Sequence, residues 1–272
     1  MIRKPRTIRP SHPNAGLRAE YQRRLEEYVR EMHESYIYWI EACYNAKPPE
    51  MAQDALHWTY GMSPTKALQE ALDRLARRWT KKLNQFAPKL AAWFADKSSS
   101  HVDRNMRAAL REAGMTVEFK TTKRVNDVLQ ATIGEQVALI KSIGKQYHSE
   151  IEGLVMRSVA AGRDAKELSV ALQERYGVTQ RRAALIARDQ NNKATATITR
   201  TRQQELGIEQ ALWIHSSAGK KPRPSHVAMN NKPYPVVAGI RLDDDLEIVW
   251  PGTAINCRCV SKAILPELGV RP

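Results

Sequence analysis

Cys257 and Cys259 are two of only three cysteines in the chain and stand one residue apart in the stretch PGTAINCRC, residues 251–259. With His226 they offer three soft ligand atoms, and His215 could supply a fourth, a set that zinc accepts in tetrahedral geometry. Structural zinc motifs usually separate paired cysteines by two or more residues, whereas alternate residues of a strand point to one face. Two other readings stay open beside the metal. The plainer one packs both sulfurs as small hydrophobes beneath a sheet, with Arg258 facing outward or pairing with the LDDDLE stretch. The third makes one cysteine a nucleophile, its thiolate held by Arg258 or His226. A disulfide between the two is disfavoured because so small a ring strains its geometry. Three cysteines are too few for a disulfide framework and point to a reducing compartment.

Charge supplies the second signal. Lys and Arg number 43 against 29 Asp and Glu, a formal net charge of +14. Such an excess favours a polyanionic partner, nucleic acid above all, or an acidic protein face. The cations gather in three places. Arg74, Arg77, Arg78, Lys81 and Lys82 fall on one side of a helix, with no acid among them in nine residues. Arg181 and Arg182 open another helix, and Lys220, Lys221 and Arg223 share a loop with His226. Each group could grip phosphates without reading sequence, or simply face solvent. No apolar run approaches the length of a membrane span. The basic start, MIRKPRTIRPSHPN, has no apolar segment behind it and reads as a solvated arm rather than a secretory signal.

The elements that must position these residues are mostly helical. Leu17, Tyr21, Leu25, Tyr28, Met32, Tyr36, Trp39 and Cys43 recur at steps of three and four, which makes Cys43 a core residue. After the break at AKPPEM, Ser63 caps a helix whose stripe is Leu68, Leu72, Leu75, Trp79, Leu83 and Phe86, continuing to Leu90 and Trp93 beyond a kink at Pro88. DKSSSH reads as a linker or cap before a further helix to Gly114, and MTVEF as a short strand. From Val125 a helical stripe resumes, with breaks expected near Gly134 and Gly144. Gly162 ends it, a short helix stops at Gly177, and Thr179 caps the next. That next helix turns polar, with Asn191, Asn192 and four threonines, and so is expected to line a wet interface or touch another polymer. After Gly207 come short β-compatible runs separated by Gly-, Pro- and Asn-rich loops. The resulting expectation is a mostly α-helical chain with a small C-terminal α+β domain. Its divisions are a basic flexible arm at 1–16, an N-terminal helical region at 17–115, a central helical region at 116–208 and the α+β unit at 209–272.

The order of the pieces EQVALIKSIGKQYHSEIEGLV, RRAALIARDQNNKATATITRTRQQELGI, ALWIHSSAGKKPRPSHVAMNNK and PGTAINCRC resembles the phage Mu F-like minor head proteins, the head morphogenesis family, over about residues 117–262. The LIAR helix, the Arg-x-x-His step at Arg223 and His226, and the Pro-Gly to Cys-Arg-Cys segment carry that likeness. The resemblance implies a non-enzymatic virion component made in few copies, associated with the portal or inner capsid surface and contacting packaged double-stranded DNA. It places the protein inside the capsid near the portal vertex, and in the host cytoplasm during assembly. Many relatives carry an Asp before the Arg-x-x-His step and a Gly after the loop. Here Gly219, Lys220 and Lys221 precede it and Asn230 and Asn231 follow, and Asn tolerates the left-handed turn. The rival expectation is a metal-dependent nuclease or hydrolase built on His226, Cys257 and Cys259. No cofactor other than zinc is suggested, and there is no phosphate-cradling glycine loop or recognisable triad.

Overall fold

A computed structural model describes residues 6–45, 64–162, 164–217, 221–245 and 247–266. Within these lie helices α1 (Ala15–Asn45), α2 (Pro64–Glu112), α3 (Lys123–Ala160), α4 (Ala165–Glu205) and the short α5 (Pro224–Ala228). The strands are β1 (Gln210–Ile214), β2 (Pro233–Pro235), β3 (Ile240–Arg241), β4 (Ile248–Val249) and β5 (Val260–Ala263). The mostly helical chain with a small C-terminal α+β part is therefore the observed class. Contacts divide it into two compact units: Met1–Glu20, Ala91–Glu135 and Ala187–Pro272 form a mixed unit, and Tyr21–Leu90 with Gln136–Ile186 form a helical one.

Long helices replace several expected breaks. α2 runs unbroken through Pro88 and through DKSSSH, and α3 through Gly134 and Gly144. α4 passes through Gly177, and the Thr179 hydroxyl donates to the Arg175 carbonyl one turn back instead of capping a new helix. Helices stop instead where a glycine takes positive φ, at Gly114, Gly162 and Gly207. Side-chain caps start them: Asn14 Oδ1 accepts from the Leu17 amide, and Asp164 Oδ1 from the amides of Lys166 and Glu167. Ser63 and the AKPPEM break lie outside the described residues.

In the helical unit, α1, α2, α3 and α4 bury the expected stripes, with Ile40 inside and Trp39 41% exposed. Cys43 packs half-buried against this core. Gly144 has a packing reason to exist: a Cβ there would collide with Leu83 Cδ1. The helix accepts the glycine because its neighbour side chain occupies that space, which offsets its roughly 1 kcal/mol propensity cost. His33 stacks on Tyr176 with ring centroids 4.3 Å apart and shares a 2.7 Å hydrogen bond with the Tyr147 hydroxyl. Burial lowers the His33 pKa, against smaller opposing effects of Gln173 and Glu34. Folded His33 therefore resists a proton that the unfolded chain accepts below about pH 6.5. Its stabilising contribution is complete above that pH and is lost as pH falls. Thermal melts from pH 7 to 5 should show a steeper decline for the wild type than for His33→Gln, and parallel curves would remove this assignment.

The mixed unit holds a three-stranded antiparallel sheet in the order β2-β1-β5, with Trp213 paired to Ser261, and a β3-β4 hairpin beside it. The described part of the N-terminal arm is docked rather than free, although Arg6, Arg9 and His12 stay exposed. The Ile8 amide donates to the Ala263 carbonyl, the Leu265 amide to the Arg6 carbonyl, and Ile8 is buried. These residues line the outer edge of β5 because that edge would otherwise leave its amides and carbonyls unpaired. MTVEF forms no strand. Its alternate residues Met115, Val117 and Phe119 pack on the core, the Met115 amide donates to the Leu110 carbonyl, and just beyond the stretch the Arg202 guanidinium donates to the Lys120 carbonyl.

Candidate metal centre

The polar end of α4 is buried, contrary to the expected wet interface. Gln190, Asn191, Asn192, Thr195, Thr199 and Arg202 are each nearly inaccessible. Their polar groups hold other chain segments in place. Asn192 Nδ2 donates to the Cys257 carbonyl at 3.0 Å, and Asp189 Oδ1 accepts from the Asn256 amide at 2.7 Å. Arg188 reaches the Asn256 side chain. Arg202 spans Asp103 with two 2.8 Å bonds and also meets Glu205. Packing against irregular backbone, whose amides and carbonyls lack ladder partners, is what places amides and hydroxyls on this helix face.

Against that face sits the cysteine stretch. The Pro251-Gly252 turn approaches α4 so closely that a Cβ on Gly252 would lie 2.9 Å from Ala196 Cβ and 2.9 Å from the Cys259 carbonyl oxygen. Asn256, at φ 59, redirects the chain, and residues 257–259 alternate, with both cysteines buried and Arg258 half-buried between them. On the other side, Pro224 starts α5 in the first-turn position that suits proline, and α5 turns His226 inward. Asn231 takes φ 60 and closes the following turn through its amide to the Trp213 carbonyl, so asparagine does serve where a glycine is common.

His226, Cys257 and Cys259 meet, their ligand atoms all within 4.8 Å of one another. Cys257 Sγ lies 3.4 Å and Cys259 Sγ 3.8 Å from His226 Nδ1. The other ring nitrogen, Nε2, lies 2.8 Å from Asp245 Oδ2. Asp245 is also 3.8 Å from Arg223, whose guanidinium donates to the Ile255 carbonyl. Asp244 accepts from the Ser225 amide at the start of α5. Burial lowers the His226 pKa, but its bonds to Cys257 and Asp245 together outweigh burial and raise it. The Cys259 thiol is pulled down to about 7, by the bond from Cys257 first, with burial opposing and Ser216, Trp213 and Arg223 adding to it. The Cys257 thiol is pushed up by Cys259 and by burial. The Gly252 amide donates to Cys257 Sγ at 3.4 Å. Chemically the arrangement offers two polarised sulfurs and an oriented imidazole on the wall of a cavity of about 330 Å³.

The remaining residues singled out by sequence are dispersed. Arg74, Arg77, Arg78, Lys81 and Lys82 are all exposed on α2 in the helical unit. Arg74 comes within 3.9 Å of Glu70, and Lys82 lies over the Trp79 ring. Arg181 is exposed, whereas Arg182 is half-buried and bonded to Ser142. Lys221 is exposed, and Lys220 lies outside the described residues. His215 lines the cavity beside the cysteines, its amide bonded to Asn230. Sequence reasoning missed Asp245, Asp244, Trp213 and Gly252. The carboxylate that seemed absent before the Arg-x-x-His step comes from the later LDDDLE stretch, and only its run of three acids hinted at such a role.

The helix with its buried polar face, the α5 histidine and the paired cysteines all lie within one stretch that resembles known proteins. Residues 149–262 match the family model described as "Phage Mu protein F like protein". An uncharacterised protein of Haemophilus influenzae is 29% identical over 151 residues, covering 56% of this chain and 32% of that protein. The chain thus spans about a third of the length of the curated relative it matches. No solved structure matches. No described helix is long and apolar enough to cross a membrane.

Proposed function

We propose that the protein acts in phage head morphogenesis as a minor head component, present in few copies in the virion. In this reading it associates with the portal or the inner capsid surface and contacts packaged double-stranded DNA without sequence preference. The Mu F-like match over residues 149–262 is the observation that carries it. In the helical unit the DNA-facing residues are the exposed α2 row of Arg74, Arg77, Arg78, Lys81 and Lys82 together with Arg181, and in the mixed unit the exposed Lys221 would do the same on its own. Arg182 and Arg223 contribute less, because each already serves an internal partner. The Arg74–Glu70 pair is no obstacle, since both side chains are solvated and such pairs are weak.

Binding to a generic duplex should weaken steeply with salt, because phosphate contacts release counterions. Each contact contributes about 0.9 to the slope of log affinity against log salt, so neutralising all five α2 cations should flatten the slope by up to about 4.5. Fluorescence anisotropy across a salt series measures this. An unchanged slope in the five-fold variant would detach DNA from the α2 face. Salt-independent affinity in the wild type would remove DNA from the proposal and leave a protein-only scaffold.

One observation favours a second reading. His226, itself bonded to Asp245, and both cysteines border a cavity that also carries Lys221 and Arg223, groups suited to a phosphate. A metal-dependent nuclease would use that site. Plasmid nicking abolished by His226→Ala would establish it, and no nicking by the wild type with added metal would discard it.

A further inference from the structure

We propose that His226 Nδ1, Cys257 Sγ and Cys259 Sγ bind one thiophilic divalent cation, zinc, which fastens α5 and the cysteine stretch to the sheet of the mixed unit. This stands independently of the capsid and DNA reading. Its first support is convergence: three side chains from two separate segments, each at least nine-tenths buried, bring their ligand atoms within 4.8 Å. The sulfurs are on the same ring nitrogen, so a cation between them replaces two weak sulfur–imidazole contacts with three coordinate bonds.

Outer contacts provide the second support. Asp245 on Nε2 leaves Nδ1 free to present its lone pair, the carboxylate–histidine arrangement that orients a metal-bound imidazole. The Gly252 amide points at Cys257 Sγ. The fully buried Trp213 indole hydrogen-bonds toward Cys259, and its ring sits edge-on to His226 at 5.0 Å. Donors around the sulfurs suit thiolates better than thiols.

Charge is the third. Two thiolates and a neutral imidazole around a dication sum to zero, so the filled site carries no net charge into a buried region. The same two thiolates without a cation would be a costly pair there. Three protein ligands leave zinc's fourth position toward the cavity, where a solvent molecule completes the set. The competing uses of these groups predict different behaviour. A nucleophile acts as a single sulfur, whereas here the two lie 3.4 and 3.8 Å from one ring nitrogen, an arrangement that suits a shared ion.

Protein purified without chelator or metal-affinity resin should contain roughly one zinc per chain by elemental analysis. Cobalt exchanged into the wild type should give tetrahedral visible bands and thiolate charge-transfer absorption, which requires no variant to fold. Cys257→Ser and Cys259→Ser should each lose the metal, while Cys43→Ser should keep it. Asp245→Asn should retain the site with affinity weakened about 10–100-fold. Wild-type protein that takes up neither zinc nor cobalt would overturn the assignment. So would cobalt spectra without thiolate bands, zinc retained in both cysteine variants, or rapid alkylation of a single site cysteine at full zinc occupancy.

Discussion

Replacing Arg202 with methionine should destabilise the protein by about 3–5 kcal/mol, the usual consequence of removing one partner from a buried ion pair. Arg202 is 2% exposed and holds Asp103 through two 2.8 Å bonds, with Glu205 at 2.8 Å and the Lys120 carbonyl at 2.7 Å. Its guanidinium also lies 5.0 Å from the Phe119 ring. Methionine would match much of the volume but leave two largely buried carboxylates and a carbonyl without their donor. Asp103→Asn should cost less, because an amide oxygen still accepts from the guanidinium. Urea unfolding followed by circular dichroism reads both. A loss below about 1 kcal/mol for Arg202→Met would mean that the cluster behaves as a solvated surface pair.

Gly252→Ala should cost about 2–4 kcal/mol and loosen the cysteine stretch. A side chain at φ 89 incurs about 1–2 kcal/mol of backbone strain. The new methyl must also enter a space bounded at 2.9 Å by Ala196 Cβ and the Cys259 carbonyl, and such overpacking typically costs about 1–3 kcal/mol. Neither neighbour is the end of a flexible chain, so the turn itself must shift. Gly162→Ala separates the two contributions, since φ there is 99 but nothing lies within 4 Å of the added methyl. It should show the backbone cost alone. Faster modification of Cys257 and Cys259 by a thiol reagent should accompany Gly252→Ala but not Gly162→Ala. Equal costs for the two substitutions would refute the close-approach argument.

The residues most readable in the sequence were those whose role is set by local periodicity. Leu68, Leu72, Leu75 and Trp79 lie in the core as their spacing required. Gly114 and Gly162 end helices, but Gly134, Gly144 and Gly177 do not, and composition gave no means of telling them apart. What separates them is tertiary: Leu83 fills the space at Gly144, while the helix ends need a positive φ. The α4 face was misread for a related reason. Polar side chains usually mean solvent, yet Asn192 and Asp189 face carbonyls and amides of a distant loop, which no one-dimensional pattern discloses. His226, Cys257 and Cys259 were recognisable as ligand types. Asp245 was not, because its link to His226 depends on how two loops fold together.

The pairing of Arg6 and Ile8 with β5 has a bearing on how the molecule is made. β5 lies between β1 and a segment emerging near the other extreme of the numbering, so neither of its flanks is settled by neighbouring sequence. Such distant closures are entropically expensive and slow. Without them, β5 would have one flank of unpaired amides and carbonyls, an open rim. Clipping the first nine residues would leave that rim permanently bare, inviting copies to stack edge to edge during expression.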